Sequence, residues 1–410
     1  MIISISILWS LASSASSVHD DQGKSLADRV NGRSYPSTFM AWYNIDMPQY
    51  PTNTKQERIK ACAMHDLMWE EPLSQNGEGV NTILELKWNH PYQGLGTSLT
   101  EESIQKALAT KKELLKLNPN MVCLLEVRWR DAPSSFLPEN SNWWLRDESG
   151  NIKKGWLGGF EPFYLLDYKN HEFLDNLALK AQAAVNSGVY DGIMLDWSGN
   201  IDVIKKIRAA IGKDKVIVVN IHDDIEDGEL YKDYINGAFM ELNPIDTIRK
   251  PVEGLKLQSE EDSNKREWKK IEKALLYYES EFQKPHVNCV EVWGHRKDFR
   301  RMRATATLTL THSNGYLLYS DPNPLPTPDH MHDWYSFYDT KLGKPIEKGH
   351  LMKNGYWKRK FTGGTVVYNP YGNKSVKVTF PRVMKRVSDG SIAKSFNVMQ
   401  CDGDIFVPEK

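Results

Sequence analysis

The 410-residue chain carries 52 basic and 53 acidic side chains, a net charge of −1 and a pI near 6.8, and is 40% hydrophobic and 26% charged. That balance suits a folded chain with one large domain and a small one, and it supplies no long-range field for nucleic acid or an anionic membrane. The 13 Trp, 18 Tyr and 13 Phe exceed the needs of a core and suit flat, partly apolar ligands as well as interiors.

At the start, an apolar run over residues 2–11 is followed by Ala12, Ser13, Ser14, Ala15, Ser16 and Ser17. This has the form of a hydrophobic leader and a small-residue cleavage site, although no Lys or Arg precedes it. Residues 1–17 are therefore expected to be a signal peptide and the mature protein to be secreted or periplasmic. No other run approaches the roughly 20 apolar residues of a membrane span, so no membrane insertion is expected.

Strand-like runs then fall at residues 39–46, 80–89, 121–131, 192–196, 215–223, 237–243, 286–294 and 316–321. Helical periodicity falls between them, at 56–70, 101–117, 171–186, 201–211, 228–235, 259–282 and 298–313. Strict alternation implies a parallel sheet, and eight repeats predict an α/β fold of the (β/α)8 TIM-barrel class over residues 36–325. The long segment 131–163 carries Trp143, Trp144, Trp156, Phe160 and Phe163 and serves either as a cleft wall or as a cover for the core. No Gly-rich loop joins a strand to a helix, which excludes a dinucleotide or P-loop site. Cys62, Cys123, Cys289 and Cys401 lie far apart without metal-ligand spacing, so they read as small buried residues and no metal or cofactor is expected. Four prolines between residues 322 and 328 end the alternation. A connection over 326–354 is expected, then short strands broken by Gly363-Gly364, Asn369-Pro370 and Asp402-Gly403, which predict a small antiparallel β-sandwich-like domain over 355–410.

Period-two alternation sorts the strand residues by face. In the run 80–89 it groups Ile83, Glu85 and Lys87, and in the third strand Leu124, Glu126 and Arg128. Charged groups placed in a lumen must pair with one another or meet a polar ligand. The fourth strand puts Met194 and Asp196 on one face, and the sixth ends at Glu241. A pair of carboxyls on nearby strands is what glycoside hydrolysis requires: one attacks the anomeric carbon or orients water, the other protonates the leaving oxygen, and no metal is required. In the fifth strand Asn220 and His222 share a face with Val218, Asp223 is an alternative acid if the register shifts by one, and Asp224 suits a helix cap. Glu291 and Trp293 share a face of the seventh strand, Asp321 ends the eighth, and Tyr43 and Asp46 are candidates from the first. Trp197 directly follows Asp196.

The order of Trp144-Leu145-Arg146-Asp147-Glu148-Ser149-Gly150, Leu166-Asp167-Tyr168, Asp191-Gly192-Ile193-Met194-Leu195-Asp196-Trp197, Asn220 and Glu241 resembles the hypothetical glycosyl hydrolase families of uncharacterised substrate. Those families are distantly similar to α-galactosidase-like and endo-polygalactosaminidase-like barrels. Leu342-Gly343-Lys344-Pro345, Trp357 to Phe361 and Gly364 to Pro370 are similar to the family's closing β domain. The resemblance implies a carbohydrate substrate, Asp196 as nucleophile and Glu241 as acid and base in a retaining mechanism. Two departures are visible: α-galactosidase-like barrels usually carry Asp where Glu241 stands, and other barrels place the acid on the fifth strand, where Asp223 stands. A non-catalytic carbohydrate-binding protein on a degenerate barrel is the alternative of a different class. A metal-dependent hydrolase using His65, Asp66, His90 or His222 is disfavoured by their scattered spacing.

Overall fold

The computed structural model describes residues 23–42, 45–77, 82–157, 162–197, 199–245, 265–321 and 330–409. The expected leader over 1–17 lies outside them. A helix, α1 (Leu26–Gly32), precedes a parallel sheet of β1 (Phe39–Met40), β2 (Leu67–Glu70), β3 (Val122–Glu126), β4 (Gly192–Leu195), β5 (Val216–Asn220), β6 (Gly237–Pro244), β7 (Cys289–Trp293) and β8 (Tyr316–Ser320), paired in that order. A bridge between Thr38 and Leu317 joins the ends and closes a barrel. After β1 to β7 come, in turn, α2 (Lys55–Cys62), α3 (Glu101–Leu117), α4 (His171–Asn186), α5 (Ile201–Ile211), α6 (Ile225–Tyr231), α7 (Trp268–Glu281) and α8 (Phe299–His312). No described helix is long and apolar enough to cross a membrane.

Alternation along the strands builds both layers of the core. Phe39, Leu67, Trp69, Val122, Leu124, Met194, Val218, Phe239, Cys289 and Leu318 fill the lumen. Their neighbours, including Cys123, Leu125, Ile193, Leu195, Val219, Met240, Val290 and Val292, pack beneath the helices. Each such buried side chain stabilises the fold by about 1.5–3 kcal/mol over an exposed one. Local caps start the helices: Asn170 begins α4, Asn200 begins α5, and Asp224 accepts from the backbone N–H groups of Glu226 and Asp227 to begin α6, as its position predicts.

At the amino ends of the strands, Val30 of α1 packs into the lumen. Arg29 beside it donates to Asp191, which also accepts from Lys111 at 3.0 Å and from the backbone N–H of Cys123 at 2.9 Å. Although burial opposes ionisation, Lys111 and Arg29 together hold the Asp191 carboxyl well below the usual range. All four cysteines are buried.

The second strand departs from expectation. The helix predicted over 56–70 stops at Cys62, and Leu67–Glu70 is the barrel strand. Four apolar-rich residues are too short a run for periodicity to separate helix from strand. The strand-like run 82–89 instead crosses the outside of the barrel, where Glu70 accepts from the backbone N–H of Ile83 at 2.9 Å. Its alternation reflects burial of Leu84, Leu86 and Trp88 against the outer core.

Beyond β8 an antiparallel sheet contains β9 (His350–Leu351), β10 (Trp357–Phe361), β11 (Gly364–Asn369), β12 (Val376–Arg386), β13 (Ile392–Val398) and β14 (Asp402–Pro408), ordered β9-β10-β11-β14-β12-β13. It packs on α8. Arg303 forms a bidentate pair with Asp402 (3.0 and 2.9 Å), and Arg359 reaches the carbonyls of Leu310 and Ser313.

Candidate active site

The inward face of β3 to β8 changes character at the carboxyl ends. Leu124 is followed two residues on by Glu126, Met194 by Asp196, Val218 by Asn220, Phe239 by Glu241, Cys289 by Glu291 and Leu318 by Ser320. The alternation that fills the lumen thus delivers a ring of polar groups to the mouth where barrel enzymes hold their chemistry.

Asn220 joins two members of that ring. Its Nδ2 donates to Asp196 Oδ1 at 2.9 Å and to Glu241 Oε2 at 3.0 Å. Those two oxygens can therefore be no farther apart than the sum of the two bonds. Asn220 Oδ1 is buried without a hydrogen-bond partner. Asp196 and Glu241 keep an opening to solvent, whereas Glu126 and Glu291 are only 3% and 0% exposed. Burial raises Asp196 against the pull of Asn220, and burial raises Glu241 to about 8, opposed by the charge of His330 and reinforced by Glu291 and Asp196.

The remaining ring members are paired. Trp42 Nε1 donates to Glu126, and Arg128 pairs with Glu71 at 2.8 Å and lies 3.6 Å from Glu126. Burial still pushes Glu126 up to about 8. Glu291 accepts from Ser320 at 2.6 Å and from His330 Nδ1, which lies 2.9 Å from both of its oxygens. Glu291 stands opposite Glu241 in the sheet register, and Glu241, Glu291 and His330 present atoms within 4.8 Å of one another. As arranged, Nδ1 of His330 is hydrogen-bonded to Glu291, so that nitrogen is already engaged by a carboxylate of the group.

Other predicted residues divide. His222 donates from Nδ1 to the backbone oxygen of Glu241 at 2.9 Å. Trp197 follows Asp196 with a φ of 66° and lies under the Arg130 guanidinium at 3.8 Å. Trp293 is buried and its Nε1 has no partner. Asp46 and Asp321 both pair with Arg296 at the rim, and Asp333 joins them at 2.8 Å. Asp223 pairs with Arg266 at 2.7 Å. Glu85 and Lys87 are corrected: their segment is not a barrel strand, and Glu85 pairs with Lys55 of α2 at 2.8 Å. Tyr43 lies outside the described residues. In the aromatic segment, Trp144 is buried core and Trp143 packs on Phe173, while Phe163 lies under Arg128 at 4.8 Å.

Sequence reasoning missed Glu71 and His330. Glu71 follows the misread strand, where its neighbours Trp69 and Glu70 would have signalled it. His330 lies beyond the proline-rich run and carries no strand or helix pattern.

No family model matches the chain, and no curated protein sequence matches it. Among solved structures, an alpha-amylase from Malbranchea cinnamomea superposes with a TM-score of 0.53 at 12% identity, covering 94% of this chain and 98% of that one. A maltogenic alpha-amylase from Thermotoga neapolitana gives 0.51 at 11% identity over 91% and 99%. The cyclic alpha-maltosyl-(1→6)-maltose hydrolase of Arthrobacter globiformis gives 0.51 at 10% over 93% and 100%. At such identities the likeness is one of fold: a TIM barrel followed by a β domain.

Proposed function

We propose that the chain is a secreted glycoside hydrolase that cleaves O-glycosidic bonds of an oligo- or polysaccharide with retention, Asp196 acting as nucleophile and Glu241 as acid and base. The observation that carries this reading is the shared amide: one Asn220 Nδ2 holds both carboxyls, and these two of the ring's carboxyls stay open to solvent. A separation bounded by bonds of 2.9 and 3.0 Å favours the roughly 5–5.5 Å spacing of retaining enzymes over the roughly 6.5–9.5 Å that leaves room for water in inverting ones. The use of the fourth and sixth strands also agrees with the roles that the sequence resemblance implies for Asp196 and Glu241.

In the first half of the reaction ionised Asp196 attacks the anomeric carbon, the bond to the leaving oxygen breaks, and the Glu241 proton passes to that oxygen. In the second half Glu241 takes a proton from water, the resulting hydroxide attacks the same carbon, and Asp196 is released as carboxylate. Negative charge thus moves from Asp196 to Glu241 and back across Asn220, whose two N–H bonds serve either distribution. Asp223 is a weaker acid candidate because its charge is matched by Arg266. A glycan panel tests the reading: a glycan cleaved by the native chain should be cleaved roughly 10²–10⁴-fold more slowly by Glu241→Gln, and not measurably by Asp196→Asn. Both variants folding normally and retaining full activity would refute it.

A further inference from the structure

Resting on Glu241 as the acid and base, we propose that Glu291 and His330 are positioning residues that set the hold of Glu241 on its proton. Glu291 favours the protonated form needed first, and His330 favours the ionised form needed second.

The geometry places the pair for this. Glu291 sits opposite Glu241 in register and has no exposed surface, so its charge is felt at Glu241 with little screening by water. A carboxylate so buried requires a partner, and His330 Nδ1 supplies it at 2.9 Å while Ser320 fixes the Glu291 rotamer at 2.6 Å. His330 is in turn fixed by the Trp42 ring, 4.7 Å away, and its backbone oxygen accepts from His332 Nδ1 at 3.0 Å. The other groups facing Glu241 are Asp196, which disfavours its ionisation, and Asn220, which favours it. Glu291 raises and His330 lowers the proton affinity of the same carboxyl, so the two oppose each other at Glu241. Removing either charge therefore moves Glu241 in a direction that loosened packing alone does not dictate.

The test is a carbon-13 NMR titration of the full chain labelled at glutamate Cδ, with the two resonances assigned by their loss in Glu241→Gln and Glu291→Gln. It reads the proton on Glu241 whether or not any glycan is cleaved, so failure here is distinguishable from failure of the glycosidase reading. In Glu291→Gln, Glu241 is expected to ionise at least about one pH unit lower, a tenfold loss of proton affinity. Glu291→Asp, which restores the charge, should return the midpoint toward that of the native chain. In His330→Asn, the last proton shared by Glu241 and Glu291 should leave at higher pH. Each variant has its own direction, so either suffices if the other fails to fold. An unmoved or raised Glu241 midpoint in Glu291→Gln, or an unmoved or lowered last midpoint in His330→Asn, would overturn the proposal.

Discussion

Replacing Asn220 by Ala separates the site's chemistry from its stability. Two hydrogen bonds are lost, at 2.9 Å to Asp196 and 3.0 Å to Glu241. The bond to ionised Asp196 contributes about 1.5–3 kcal/mol. At 1.36 kcal/mol per pH unit, its loss should raise the Asp196 midpoint by roughly one to two units, beyond the rise that burial already imposes. At pH below that midpoint the ionised fraction of Asp196, and with it kcat/KM, should fall by roughly ten- to hundredfold. Stability should move far less, because the substitution also removes the unpartnered, buried Asn220 Oδ1, whose desolvation opposes the fold by about 1–3 kcal/mol. The assays are a carbon-13 titration of aspartate Cγ, with Asp196 identified by its loss in Asp196→Asn, beside urea unfolding of the same preparations. An unmoved Asp196 midpoint, or a stability loss as large as the kinetic one, would refute the reasoning.

Further outcomes follow from the same structure. With Asp196 required as carboxylate and Glu241 as acid, a pH–rate profile should be bell-shaped, with its acid limb above the ordinary aspartate range and activity falling as pH rises through about 8. A profile flat through that region would contradict the assignment of Glu241. At the opposite end of the barrel, Asp191→Ala leaves Arg29 and Lys111 buried without their carboxylate and should lower unfolding free energy by about 3–5 kcal/mol in urea titrations. Because Asp191 is held below its unfolded range, its contribution is present at neutral pH and is lost as pH falls through the folded value; stability of Asp191→Ala should depend less on acid than that of the native chain. Hydrolysis of any glycan identified should survive EDTA, since the two-carboxylate mechanism uses no metal and His330 Nδ1 is engaged by Glu291, and loss of activity on chelation would show that reading wrong.

Most of the barrel was legible because the runs at 121–131, 192–196, 215–223, 286–294 and 316–321 each contain an observed strand and 237–243 covers all but the last residue of β6, and alternation grouped Leu124 with Glu126, Met194 with Asp196 and Val218 with Asn220, as they stand in the barrel. The second strand was not, since Leu67–Glu70 offers four residues to a rule that needs more, and the alternating run at 82–89 imitates it while packing outside. β1 is also shorter than the run 39–46: Ala41 turns into the lumen and Trp42, with a φ of 48°, swings its indole to Glu126. Side-chain sharing lies beyond periodicity. That one Asn220 amide serves two carboxyls, or that His330 crosses from beyond residues 322–329 to reach Glu291, depends on contacts between segments far apart in the chain.

The central claim is that Asp196 bonds covalently to the sugar. Incubating the chain with a panel of activated 2-deoxy-2-fluoro glycosides, which slow release of a glycosyl-enzyme, and mapping the adduct by peptide mass spectrometry tests it most directly. The account predicts a glycosyl adduct on the peptide containing Asp196, absent from Asp196→Asn; an adduct on Glu126, Asp223, Glu241 or Glu291 instead would contradict it.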